Sequence, residues 1–376
     1  MTIQTKGQVH YALWEVTQQC NLTCIHCRAD ASPAKKDKRN IAGKDAEKLI
    51  DQLSEIGCPT LALTGGEPLL RKDIVDIVTY ANSKKIKTRI QSNAQLLTEL
   101  LADKLKKAGL FSYGVGLDGS GPAVNDKIRN KSGAFKKAIK AIKILKERGI
   151  KVHVEFTVTK INLNELKNTL DLLEGLGVDT FLARAALFSG RAVSNNSVFR
   201  LTPDEYKKFL EQINGERKNR KIVLNCQDPL YHLVDQESVD KLKKYGDIYS
   251  GKVITGCTAG INMIHIHADG DIGICTFLPS IILGNVFENS LIDIWNNRYS
   301  IPEVKRLIQR EYDGRCKTCS DRFICGGCRA RALELKNNLF DHDPYCWKYL
   351  AKNEKIYFNG KYKNKKLRYD RLSVCP

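Results

Sequence analysis

Cys20-Asn-Leu-Thr-Cys24-Ile-His-Cys27 puts three thiols on one short segment. Three thiolates so spaced can ligate three irons of a four-iron cubane, leaving the fourth iron without a protein ligand. An open iron is what a small chelating molecule requires. The competing reading is a zinc knuckle, but structural zinc wants a fourth protein ligand, and His26 is awkwardly placed between two cysteines. A second group crowds the C-terminal third: Cys257, Cys275, Cys316, Cys319, Cys325, Cys328 and Cys346. Seven thiolates suffice for two further clusters, with a pair of zinc ribbons as the alternative. Cys58, Cys226 and Cys375 stand alone and read as core or idle thiols.

Other residues could serve a ligand on such an iron. Thr64-Gly65-Gly66-Glu67-Pro68 combines glycines, which allow close backbone approach, with a carboxylate that can accept from an ammonium. Gln91-Ser92-Asn93, Gly116-Leu117-Asp118-Gly119 and Asn125-Asp126-Lys127-Ile128-Arg129 are further polar turns. A turn or salt-bridge role for Asp118 and Arg129 stands beside a ligand role. His265 and His267 share one face of a strand by period-two alternation and read as ordinary strand residues before ligands.

These residues need a scaffold. Tyr11–Thr17, Thr60–Thr64, Lys87–Gln91, Ser112–Leu117, Lys151–Val158 and Thr180–Ala185 are short runs rich in β-branched, aromatic or aliphatic residues, hence strands. Lys44–Ile56, Lys72–Ser83, Glu99–Ala108, Ala134–Arg148 and Asn164–Leu176 alternate with them and carry helical periodicity. Six β-then-α units imply parallel strands with right-handed crossovers. Six are too few to close an eight-stranded barrel, so an α/β fold of the partial (β/α)6, TIM-like kind is expected, open on one side. The cysteine triplet, the Gly-Gly turn and Asp118 then follow the first, second and fourth strands, and Arg184 ends the sixth. Thr202–Asn214 reads as a capped helix and the rest of 215–252 as a polar, irregular linker. The expected division is a barrel over 9–214, that linker, a cysteine-rich domain over 253–350 and a basic tail over 351–376.

Composition sets outer bounds. Of 376 residues, 42% are apolar and 27% charged, which excludes a mostly disordered chain. The polar N-terminus lacks a secretory signal and no run approaches the ~18 apolar residues of a membrane span. A cytoplasmic address follows. Thirteen cysteines in a reducing compartment argue against a disulfide scaffold. The net charge of +19 comes from lysines spread along the chain without interleaved aromatics, which reads as a solvated surface rather than a nucleic-acid interface.

The CxxxCxxC loop after the first strand resembles that of the radical SAM superfamily, whose barrel is a partial (β/α)6. The resemblance implies a cluster whose open iron chelates S-adenosylmethionine, and reductive cleavage to a 5′-deoxyadenosyl radical that takes hydrogen from the substrate. It implies that His26 packs on adenine, that Gly65, Gly66, Glu67 and Pro68 form the GGEP turn holding the methionine amino group, and that Ser92 or Asn93 contacts ribose. Asp118 lies in a turn similar to the family's SLDG. Ala94 departs from a frequent Thr-Asn-Gly. The spacing Cys257-x12-Gly270-x4-Cys275 and the five later cysteines resemble the SPASM domain. Its arrangement implies an outer auxiliary cluster on Cys316, Cys319, Cys325 and Cys346, and an inner one on Cys257, Cys275 and Cys328. Three [4Fe-4S] clusters are therefore expected, the inner one with an open iron unless His265, His267 or Cys226 fills it.

SPASM-type members mostly modify ribosomal peptides, and peptide maturation is the first expectation here. A related branch works on iron tetrapyrroles in haem and haem d1 synthesis, and Trp14–Cys20, Cys27-Arg28-Ala29 and Cys325–Ala332 look like that branch. A non-catalytic electron carrier or a zinc-ribbon nucleic-acid binder would not need the Gly65–Pro68 turn. The resemblance also implies a flavodoxin- or ferredoxin-type electron donor. Cys20 comes too early for a leader-binding module, so a peptide would need a separate recognition protein or direct binding by the SPASM region.

Overall fold

The structure, a computed structural model, describes residues 9–37, 41–187, 189–244 and 255–349. The expected basic tail, with Cys375, and residues 245–252 of the expected linker lie outside them.

Strands β1 (Tyr11–Glu15), β2 (Thr60–Thr64), β3 (Lys87–Ser92), β4 (Ser112–Gly116), β5 (Val152–Val158) and β6 (Thr180–Ala185) form where the β-branched and aliphatic runs predict them. Helices α1 (Lys44–Glu55), α2 (Ile74–Ser83), α3 (Glu99–Lys107), α5 (Ala134–Glu147) and α6 (Leu166–Gly175) intervene. Each buries one stripe: in α1 it is Ala46, Leu49, Ile50 and Leu53, the three-and-four spacing of an amphipathic helix. α4 (Pro122–Arg129) is a short helix that the alternation does not predict. Pro122 opens it, with no N–H to lose at a first turn.

The sheet is larger than six strands. Val223–Cys226, inside the segment expected to be irregular, forms β7 and pairs parallel to β6. Its burial alternates over only four residues, too short a run for period-two patterning to stand out. At the other end β8 (Met263–Ile266), from the cysteine-rich region, pairs parallel to β1 with Leu13 opposite His265. Strands β9 (Asp271–Gly273) and β10 (Ile282–Asn285) add antiparallel pairs. The order is β10-β9-β8-β1-β2-β3-β4-β5-β6-β7. One sheet thus runs through both cysteine-bearing regions, open between β7 and β10. Among the described residues no helix is long and apolar enough to cross a membrane.

Candidate active site

The chain leaves β1 at Glu15 and reaches the cysteine triplet over a segment pinned by the Gly-Gly turn. Gly66 N donates to Thr17 O and Glu67 N to Gln19 O, both at 2.7 Å. A Cβ on Gly65 would lie 2.3 Å from Thr17 O, and one on Gly66 would lie 1.8 Å from Gln19 O. Backbone meets backbone here, and only glycine allows it. Cys20, Cys24 and Cys27 then face a cavity at the C-terminal ends of the strands, with about 960 Å³ of space partly open to solvent. Thr64, Gly66, Ser92 and Asn93 share its wall. Leu22 N points at Cys20 Sγ at 3.4 Å and Asn93 Nδ2 at 3.6 Å, which suits a thiolate or a cluster sulfur. Burial pushes the Cys20 thiol up to about 12 and raises Cys24 as well. Such thiols stay protonated until a metal supplies positive charge.

Glu67 is held from within the protein. Its side chain is fully buried and does not line the cavity, although Gly66 does. Ser92 Oγ donates to Oε1 at 2.7 Å, Leu69 N to Oε1 at 3.0 Å, and Asn93 N to Oε2 at 2.9 Å. Burial raises its pKa against those bonds. The carboxylate is a strut between the Gly-Gly turn and the end of β3. Ser92 Oγ also accepts from Ala94 N at 2.8 Å. That bond helps hold Ala94 at φ +60°, a left-handed conformation that favours glycine. Asn93 Nδ2 donates to Asn21 Oδ1 at 2.7 Å, tying β3 to the cysteine loop. Pro68 opens a single 3₁₀ turn, Pro68–Leu70.

His26 faces the cavity, with its Nε2 3.7 Å from Asp118 Oδ2. Burial drives its pKa down to about 4, outweighing Asp118, so the ring is a neutral, flat surface. Asp118 itself is fully buried. It pairs with Arg129 Nη2 at 2.8 Å and accepts from Thr157 N at 2.9 Å, which is a positioning role rather than a ligand contact. Arg129 reaches the cavity wall beside Cys24.

Arg184, which the sequence places at the barrel mouth, joins this wall with two residues that sequence reasoning did not single out, Arg28 and Phe277. Arg28 and Arg184 stand with their guanidinium carbons 5.6 and 5.7 Å from the Phe277 ring centroid. Arg184 also donates to Gln227, and Arg28 Nη1 donates to Glu15 Oε1 at 2.7 Å. Burial would raise the Glu15 carboxyl, but Arg28 and His265 hold it well below the usual range. Phe277 lies two residues past Cys275, in a stretch with no polar pattern to flag it. Its place against Arg28 is a tertiary contact.

The expected outer set gathers. Cys316, Cys319, Cys325 and Cys346 line one cavity with about 450 Å³ of space. Cys257 lies beside both Cys275 and Cys328, raising the pKa of each after burial has done most of the work. Cys257 N also donates to Cys325 O at 3.2 Å, so the two groups adjoin. Cys226 ends β7, buried next to Asp228 and Arg331. A buried ion network orders the region: Arg331 binds Asp228 at 2.7 Å and Asp343 at 2.6 Å, and Asp343 Oδ2 accepts from Cys328 N at 2.7 Å.

Whether these thiols suit clusters or single zinc ions is a matter of spacing. A tetrahedral zinc with bonds of about 2.3 Å needs sulfurs only about 3.8 Å apart. Among the described residues, the only His/Cys/Asp/Glu group with donor atoms all within 4.8 Å of one another is Glu15, His265 and His267. Among the described residues no three motif sulfurs converge so tightly, which argues against single zinc ions. Arg329 adds to the fit. It is fully buried, and its Nε and Nη2 have no hydrogen-bond partner. Cys316 and Cys257 are among its neighbours. Its Nη1 donates to Leu339 O and Asp341 O, but two buried donors left without acceptors are costly, and an anionic cluster beside Cys316 and Cys257 would supply them.

Comparison with known proteins agrees with this geometry. Residues 14–173 match the radical SAM superfamily, and residues 257–320 match an iron-sulfur cluster-binding domain, SPASM. The chain is 30% identical over 343 residues to the AdoMet-dependent heme synthase of Methanosarcina barkeri, covering 89% of this chain and 95% of that protein. It is 27% identical over 372 residues to the antilisterial bacteriocin subtilosin biosynthesis protein AlbA of Bacillus subtilis, covering 94% and 75%. Among solved structures, SuiB of Streptococcus suis bound to S-adenosylmethionine shares the fold at a TM-score of 0.73 and 20% identity, over 91% of this chain and 78% of that one. The chain belongs to the radical SAM superfamily and is a radical S-adenosylmethionine enzyme of the SPASM branch.

Proposed function

We propose that this enzyme acts on the carboxylate-bearing side chains of an iron tetrapyrrole. The observation that carries the reading is the wall formed by Arg28, Phe277 and Arg184, one aromatic ring with two guanidiniums near it. A flat macrocycle with several acidic side chains can set its face against the ring and its carboxylates on the cations. A peptide, which the usual substrates of SPASM-type members favour, needs neither feature as a rule. The heme synthase relative is matched over 95% of its length and AlbA over 75%, which supports the same order.

Cys20, Cys24 and Cys27 would hold the cluster that binds S-adenosylmethionine, with Asn93 and Leu22 donating to Cys20. When bound, cluster and cofactor supply an electron and a carbon radical able to take hydrogen from an unactivated carbon. The protein's own part is orientation. The backbone at Thr64 and Gly66 faces the cavity for the methionine end, and the neutral His26 ring offers its face to adenine. Glu67 and Asp118 keep these pieces in place. Arg28 and Arg184 grip the substrate acids. Cys316, Cys319, Cys325 and Cys346 would hold the outer auxiliary cluster, and Cys257, Cys275 and Cys328 the inner one. Electrons would come from a flavodoxin- or ferredoxin-type donor.

The test is to incubate cluster-loaded enzyme with S-adenosylmethionine, a low-potential reductant and an iron porphyrin carrying free carboxylate side chains. The porphyrin should speed 5′-deoxyadenosine formation and change in mass. Arg184→Met should weaken its binding about 10- to 150-fold, the loss of one charged hydrogen bond worth roughly 1.5 to 3 kcal/mol. Porphyrins recovered unchanged while the cofactor is still cleaved would rule the reading out.

A further inference from the structure

We propose that Glu15, His265 and His267 form a site for one divalent transition-metal ion, of the zinc or ferrous-iron class, outside the ten motif cysteines. The topology brings them together. β1 and β8 are parallel neighbours with Leu13 opposite His265, and Glu15 lies two residues beyond Leu13 on the same face. His267 follows His265 by the same step. One donor atom from each residue lies within 4.8 Å of the other two. His265 Nε2 is 3.2 Å from Glu15 Oε1, and His267 Nδ1 is 4.0 Å from Glu15 Oε2. Metal–ligand bonds of about 2.0 to 2.2 Å place donors about 3 to 3.5 Å apart, so small side-chain rotations would close the set.

A second observation points to a ligand. His265 is 1% exposed; its Nε2 meets only Glu15 Oε1, and its Nδ1 has no hydrogen-bond partner, nor does His267 Nε2. A buried imidazole N–H without an acceptor is expensive, and one metal bond plus one short contact would relieve it. The rings lie 4.1 Å apart at 51°, converging rather than stacked. Room is left beside them by Gly273, where a Cβ would sit 3.2 Å from His267 Nε2 and 3.6 Å from His265 Nδ1. Arg28 Nη1 bonds Glu15 Oε1 at 2.7 Å and Thr276 O at 3.2 Å, the kind of outer contact that orients a ligating carboxylate. Two imidazoles and one carboxylate select zinc or ferrous iron over magnesium or calcium, which prefer oxygen alone. Because Arg28 also lines the cavity, an ion here would brace that wall, and would pin the cysteine-rich region to the barrel at β1.

The probe is zinc alone, offered by equilibrium dialysis to the full chain with its iron–sulfur clusters assembled, so that the cysteines are already occupied. Metal analysis should find about one zinc per chain. His267→Gln should lower the affinity at least about 10-fold, at or beyond the loss typical of an outer-shell change, with iron content unaltered. X-ray absorption at the zinc edge should show nitrogen and oxygen at about 2.0 to 2.1 Å and no sulfur near 2.3 Å. A sulfur shell, equal zinc in wild type and variant, or no zinc at all would overturn the site and leave a hydrogen-bonded Glu15–His265 pair only. The absorption spectrum of the wild type decides the matter even if the variant fails to fold.

Discussion

Glu67 receives Ser92 Oγ, Asn93 N and Leu69 N, all from inside the protein. Glu67→Ala would strand three donors in a buried place. Each costs about 1 to 3 kcal/mol, so the variant should lose on the order of 3 kcal/mol or more, read as a lower midpoint in denaturant unfolding. Weak cofactor binding would follow from the loosened turn. A variant of normal stability that binds S-adenosylmethionine poorly would instead restore the carboxylate as a direct partner of the ammonium. The contrast between Glu67 and Gly66 is instructive: neighbours in sequence, one faces the protein and the other the cavity. Asp118 repeats the lesson, since its acid is spent on Arg129 and Thr157. Both residues are recognisable from their motifs, but their direction is not.

At the scale of elements, the site depends on two loops that touch through backbone alone. The turn after β2 lies on residues 17–19 ahead of the cysteines, held by the Gly66 and Glu67 amides. Gly66→Ala puts a Cβ 1.8 Å from Gln19 O, a backbone atom that cannot swing aside as a side-chain end would. The variant should therefore fail to hold the N-terminal cluster and lose about four irons, while the C-terminal clusters remain. Iron and sulfide analysis with electron paramagnetic resonance would show this. Retention of all the iron would mean that the two loops are independent. Elements also explain what the alternation of strands and helices leaves out: β7 is four residues long, and β8, though its alternation shows at His265 and His267, pairs with a strand far back in the sequence, β1.

For the whole molecule, the parallel pairing of β1 with β8 joins the barrel to the cysteine-rich region in one sheet. We expect about twelve irons per chain after anaerobic assembly, four per cubane. Replacing Cys20, Cys24 and Cys27 by Ala should remove about four and abolish cofactor cleavage. Replacing Cys316 and Cys319 should remove about four others from the outer cavity, where both line the wall. A triple variant that still makes 5′-deoxyadenosine would defeat the assignment of the first cluster.

The order of the cysteines, the Gly-Gly turn and the six β-then-α units were all present in the sequence, because local spacing dictates loop chemistry and periodicity dictates which face is buried. The superfamily follows from them. Three things required the folded chain. The direction of Glu67 depends on donors 25 residues away on β3, and no local pattern records them. The wall of Arg28, Phe277 and Arg184 joins three distant segments. The meeting of Glu15 with His265 and His267 spans some 250 residues, and only the pairing of β1 with β8 brings it about. Long-range contacts of this kind are set by the packing of the sheet as a whole, so the proposed substrate wall and the candidate metal site became visible only in three dimensions.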